Sequence, residues 1–174
     1  ALAAVPLVPE GERVFTGTIV SSLEGLDRFA PFADVIDLLD VEPPAEQLLS
    51  ALTEGFARVY LANARDFLTT IVFVHGVTSI ATLRGIAPYL DADDLRAATR
   101  YAWQSSSALF AAFGSRHAVV GEIEPPRESA ESIVERAIAS HDDHAIKFTE
   151  ARLREHAIAP SPTFFTPASP KRMP

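Results

Sequence analysis

The chain has 174 residues, enough for one domain with its own hydrophobic core, and 48% of them are hydrophobic, which excludes wholesale disorder. Fifteen basic against 23 acidic residues leave a formal charge of −8, a sign that repels phosphate backbones and argues against a nucleic-acid partner. There is no cysteine, so disulfides, thiolate catalysis and cysteine-held zinc are excluded, and a reducing, cytoplasmic setting is expected.

The opening Ala1 to Val8 is apolar, but it lacks a basic flank and is interrupted by Pro6, so it does not read as a signal peptide. No apolar run reaches the length that spans a bilayer, and no membrane partner is expected. Val14 to Val20 reads as a short strand or an extended arm. Ser22 to Phe29 and Asp34 to Leu39 read as short helical pieces divided by Pro31. Residues 1–44 are thus expected to be irregular with short elements, ending at Pro43-Pro44, which suits a helix start.

A helical domain is expected over 45–158. Leu48, Leu49, Leu52, Phe56 and Val59 recur at helical spacing from Ala45 to about Ala62. Asp66 can cap a segment running toward Tyr89. Its β-branched centre, Ile71 to Val74, suits a strand on propensity. Leu68, Ile71, Val72, His75, Thr78, Ser79, Thr82, Ile86 and Tyr89 nevertheless share one helical face, which predicts a helix. Asp91 or Asp93 opens the next helix, rich in small residues around Tyr101 to Ala108 and ended by Gly114. Gly121 to Arg127 reads as a linker. Glu128 to Ser140 forms a short helix, and a last helix runs from Asp142 or Asp143 to about His156. Residues 159–174, rich in Pro, Ser and Thr, read as an extended or disordered tail. The fold class expected is mostly α, a bundle-like helical domain.

Nucleophile elbows, phosphate loops, dinucleotide fingerprints and His-Glu-x-x-His zinc motifs are all absent, which leaves histidine and carboxylate chemistry. In His141 to Ala151, His144 and Lys147 are three apart and share a helical face with Phe148 and Ala151. Apolar residues on both sides of this helix predict that it is largely buried. Imidazole is a good ligand for iron, zinc or copper, whereas lysine serves only when deprotonated or carboxylated. An ion-pair ladder through Asp143, Lys147 and Glu150 accounts for the same spacing. His75 lies in an apolar stretch beside Gly76, as a ligand or as a core histidine bonded to a hydroxyl or carbonyl. His117 sits in a loop, His141 near a helix start, and His156 at a helix C-terminus where a cation is favoured. Tyr101 and Trp103 either line a pocket for a flat aromatic substrate or serve as packing aromatics.

Two stretches together resemble the questin oxidase-like family. One is Phe73-Val74-His75-Gly76-Val77-Thr78-Ser79, followed by Leu83-Arg84 and Pro88-Tyr89-Leu90. The other is Asp142-Asp143-His144-Ala145-Ile146-Lys147-Phe148-Thr149-Glu150-Ala151, with Tyr101-Ala102-Trp103-Gln104 falling between them. The resemblance implies part of an all-α, metal-dependent oxygenase that cleaves rings of aromatic, polyketide- or anthraquinone-type substrates with O2, in secondary metabolism. It implies a mononuclear iron, Fe(II), held by histidines and a carboxylated lysine, and a reduced nicotinamide, NADPH, as cofactor. Carried over to this chain, His75, His144 and Lys147 would be the metal ligands. The family's N-terminal half, with an H-N-H-like motif and a further histidine, has no counterpart here. The chain is therefore expected to be a C-terminal portion whose remaining ligands come from a missing N-terminal half or a second chain. The alternatives are a helical scaffold without catalysis and a zinc-dependent hydrolase.

Overall fold

In the computed structural model, which describes residues 1–15, 17–116 and 128–166, every regular element is helical and no strand occurs among those residues. The first 44 residues fold as a series of 3-10 turns around one short helix, α1 (Ile19–Leu23). Thr18 caps α1 by accepting the Ser21 N–H at 3.2 Å, so Ile19 and Val20 enter a helix and not the strand or arm expected over Val14 to Val20. The irregular segment is held by few but specific contacts. The Val8 N–H donates to the Ala111 carbonyl at 2.9 Å, Phe15 stacks on Phe113 at 5.3 Å, and Val5, Val8 and Val35 are buried.

Pro44 then starts α2 (Ala45–Asn63), whose Leu48, Leu49, Leu52, Phe56 and Val59 are all buried, as the 3.6-residue period predicts. A three-residue turn leads to α3 (Phe67–Ile86). Asp66 and Thr69 form a reciprocal capping box there, with the carboxylate accepting Thr69 N–H at 2.8 Å and the hydroxyl accepting Asp66 N–H at 3.2 Å. Asp91 caps α4 (Ala92–Phe113) by accepting the N–H groups of Asp93 and Asp94. Ser129 caps α5 (Ala130–Ala139), and Asp142 caps α6 (Asp143–Ile158). α3 lies at the centre, packed against α2, α4 and α6. Its link to α6 pairs His75 with His144, Ala81 with Arg154 and Arg84 with Glu155, so the two helices run in the same direction.

Three expectations change, and the α3 stripe that predicted a helix, Leu68, Ile71, His75, Thr78, Ser79, Thr82, Ile86 and Tyr89 just beyond, lies outward. Only its Val72 is fully buried. The core side carries Thr69, Val72, Phe73, Val74, Gly76, Val77, Ile80, Ala81 and Leu83, because three neighbouring helices pack against it. α6 is half-buried: Phe148, Ala151 and Glu155 face the core while Ile146 and Lys147 are exposed. The segment expected as an extended tail begins with a 3-10 turn, Pro162–Phe164, whose Thr163 and Phe164 are buried. There Ser161 and Thr163 both donate to the Glu54 carboxylate of α2 at 2.9 and 3.2 Å, and that polar clip holds the turn in place. Finally, Phe67–Tyr89 is long and apolar enough to cross a membrane by length and composition, with half of its most apolar window buried. Its place between α2, α4 and α6 accounts for that hydropathy. The linker expected over 121–127, His117 and the tail beyond 166 lie outside the described residues.

Candidate metal and substrate site

The α3–α6 junction brings together His75, His144 and Lys147. His75 projects from the outward face of α3, and His144 occupies the first turn of α6, where the Asp142 carboxylate accepts its backbone N–H at 2.9 Å. The two imidazoles meet edge to face with ring centroids 5.4 Å apart. Exact placement of α6 depends on His141, which adopts a left-handed conformation at φ 54° and turns the chain between α5 and α6. His141 itself is exposed.

His144 Nδ1 is 3.4 Å from a carboxylate oxygen of Asp142 and equally far from one of Asp143. These three side chains offer ligand atoms within 4.8 Å of one another. Lys147 Nζ donates to Asp143 Oδ2 at 2.7 Å, so the acid-first ion pair predicted from the spacing is present. Both members are largely exposed, at 65% and 68%. Lys147 holds Asp143 below the usual carboxylate range by its hydrogen bond and charge. His75 is pushed the other way from protonation: burial, then the charges of His144 and Lys147, lower its pKa below the ordinary imidazole value. A neutral ring with a free lone pair is the form that binds metal. His75 in this form fits as one ligand of a divalent ion. Lys147 as found, an exposed ammonium paired to a carboxylate, does not fit the role of an anionic ligand.

Beside this corner a groove of about 550 Å3 runs between α3, α4 and α6. His75, Thr78, Ser79 and Thr82 form one wall, Lys147, Glu150 and Arg154 form another, and Leu23, Leu109 and Ile146 supply apolar surface. The α3 hydroxyls have spent their protons. Thr78 donates to the Val74 carbonyl at 2.9 Å and Thr82 to the Thr78 carbonyl at 2.8 Å. Ser106 donates to the Gly76 carbonyl at 3.0 Å, which leaves Ser79 as the donor in the 3.2 Å Ser79–Ser106 contact. The wall thus presents lone pairs and accepts hydrogen bonds.

Trp103 and Tyr101 stand elsewhere. Trp103 is fully buried, tilted against Phe56, with its indole N–H donating to the Val35 carbonyl at 2.7 Å. It is a core anchor for the N-terminal segment. Tyr101 is 63% exposed, and neither residue lines the groove. His156 uses Nδ1 to accept the Ser161 N–H at 3.1 Å and stacks edge-on against Phe165, so it fastens the C-terminal turn.

Two arginines are important to this architecture: Arg84, part of a motif but with no contact predicted for it, and Arg152, which carried no sequence signal. Arg84 reaches from α3 to make a two-pronged contact with Glu155 of α6, both bonds at 3.0 Å, and also donates to Ser50 and the Glu46 carbonyl of α2. Arg152, buried in α6, lays its guanidinium over the Phe148 ring at 4.5 Å. The Arg84–Glu155 contact joins positions 71 apart and is purely tertiary. No family model, no curated protein and no solved structure matches the chain.

Proposed function

We propose that this chain supplies a metal-binding corner and an adjoining substrate groove to an oxygenase of the questin oxidase-like kind. The reaction would be oxidative ring cleavage of aromatic, polyketide- or anthraquinone-type phenols. One observation carries the reading: His75 and His144, from the two motifs that resemble this family, bring their rings to 5.4 Å at the edge of a groove of substrate size. When bound, an iron ion would supply Lewis acidity and a redox centre for O2. His75 and His144 would hold it through ring nitrogens, and the depressed pKa of His75 keeps that ring unprotonated at neutral pH. Thr78, Ser79 and Thr82, as acceptors only, suit a substrate that presents O–H groups. Leu23, Leu109 and Ile146 would cover its flat faces and keep water away.

Elemental analysis of the purified protein beside His144→Ala tests this. Near-stoichiometric iron that disappears in the variant is the expected outcome, followed by turnover of phenolic substrates with O2, with and without NADPH. Stoichiometric zinc would favour a hydrolase at the same site. Absence of metal from both folded proteins, after supply of iron and bicarbonate, would leave a helical scaffold. The Asp143–Lys147 pair is the feature that favours that second reading, because it accounts for both residues without a ligand.

A further inference from the structure

Among the described residues two charged side chains are buried, Glu155 and Arg152, both on α6. Glu155 is neutralised by the two-pronged contact from Arg84. Arg152, 7% exposed, pairs with no carboxylate among the described residues. Its Nε is sealed from solvent without an acceptor, and its Nη1 reaches only the Thr166 carbonyl, at 3.3 Å. The Phe148 ring, 4.5 Å from Cζ, offsets part of the charge. The carboxylate whose charge reaches it, Glu128, is itself bonded to Arg136. Taking a guanidinium out of water without a counter-ion is costly, and one long bond to a carbonyl does not repay it.

We propose that Arg152 and Tyr60 form a binding site for the carboxylate group of a small molecule. Tyr60 of α2 packs against the same Phe148 ring with centroids 4.5 Å apart, close enough to Arg152 to feel its charge. Burial raises the pKa of the phenol, so it stays an O–H donor at neutral pH. The Tyr60 hydroxyl and Arg152 Nη2 both lack a hydrogen-bond partner among the described residues, and neither is sealed from solvent, so an incoming oxygen can reach them. Charge selects the anion. Arg152 and Arg136 against Glu128 leave one positive charge, which a carboxylate neutralises and a phosphate dianion overshoots. The planar guanidinium fork also matches the edge of a carboxylate. Neither Arg152 nor Tyr60 lines the groove between α3, α4 and α6, so this site is independent of the metal and substrate reading.

The test replaces sodium chloride by sodium acetate at constant ionic strength, with the whole chain. It follows the 15N–1H resonance of the Arg152 side-chain Nε–H, identified by its loss in Arg152→Lys, and the thermal unfolding midpoint. A saturating shift and a raised midpoint are expected for the wild type, and no rise in midpoint for Arg152→Lys. Tyr60→Phe keeps the ring packing and should weaken acetate binding by about 10-fold, as loss of one hydrogen bond to a charged group does. Phosphate should bind more weakly than acetate. An Arg152 that only fastens the C-terminal turn through Thr166 would lose stability on replacement while acetate left every protein unchanged, and that result would overturn the proposal. So would a shift that fails to saturate, acetate affinity unaltered in Tyr60→Phe, or tighter binding of phosphate. Should Arg152→Lys not fold, Tyr60→Phe decides, because it leaves the charge in place.

Discussion

Glu155 has 1% of its side chain exposed, and the cation bonded to it is Arg84, itself held by Ser50 and the Glu46 carbonyl. A buried pair of this kind contributes little net stability over an apolar replacement, but breaking one side leaves an uncompensated charge. Arg84→Met should therefore cost about 3–5 kcal/mol in urea unfolding, while Arg84→Met with Glu155→Leu should recover most of the loss. The residue scale is also where sequence reading was weakest. Nothing in the spacing of Arg84 and Glu155, 71 positions apart, signals their contact. Trp103 could be read two ways because an indole suits both pocket and core. Its N–H bond to Val35, 68 positions away, settles it as core.

At the scale of elements, local chemistry was legible. Asp66 caps α3 as expected, and Asp91 and Asp142 are the caps from the two candidates read for each of the later helices, because capping involves only near neighbours in sequence. The breadth of the buried face was not legible. α3 touches three helices, so its β-branched centre is core and its hydroxyl stripe faces the groove. Gly76 shows how this bears on stability. A Cβ there would lie 3.9 Å from Phe56 and 4.0 Å from Leu109, ordinary contact distances. Gly76→Ala should thus stabilise the protein by about 0.5–1 kcal/mol through helix propensity, read as a raised unfolding midpoint. Gly114 differs, since a Cβ would fall 2.5 Å from the Phe110 ring and carbonyl, so Gly114→Ala should destabilise the end of α4.

For the whole molecule, the C-terminal turn is tied to α2 through Glu54. Burial raises the pKa of that carboxyl, but hydrogen bonds from Arg58, Ser161 and Thr163 outweigh it and hold it below the ordinary value. A carboxylate with a depressed folded pKa contributes stability that is present above its unfolded pKa and is lost as pH falls through the folded one. Acidification below the ordinary carboxylate range should therefore lower the urea midpoint of the wild type. Glu54→Gln should remove part of that pH dependence, and proteolysis of the Pro162–Phe164 turn should rise in parallel in acid.

The sequence by itself determined the helical class and the Asp143–Lys147 pair within α6, because periodicity, capping and i, i+4 pairing are properties of a few neighbouring residues. Only the tertiary structure decided which face of α3 lies outward, that Trp103 is core, and that Ser161 and Thr163 pack back onto α2. Each of those depends on which helices meet, and burial and pairing between segments many residues apart leave no period in the chain.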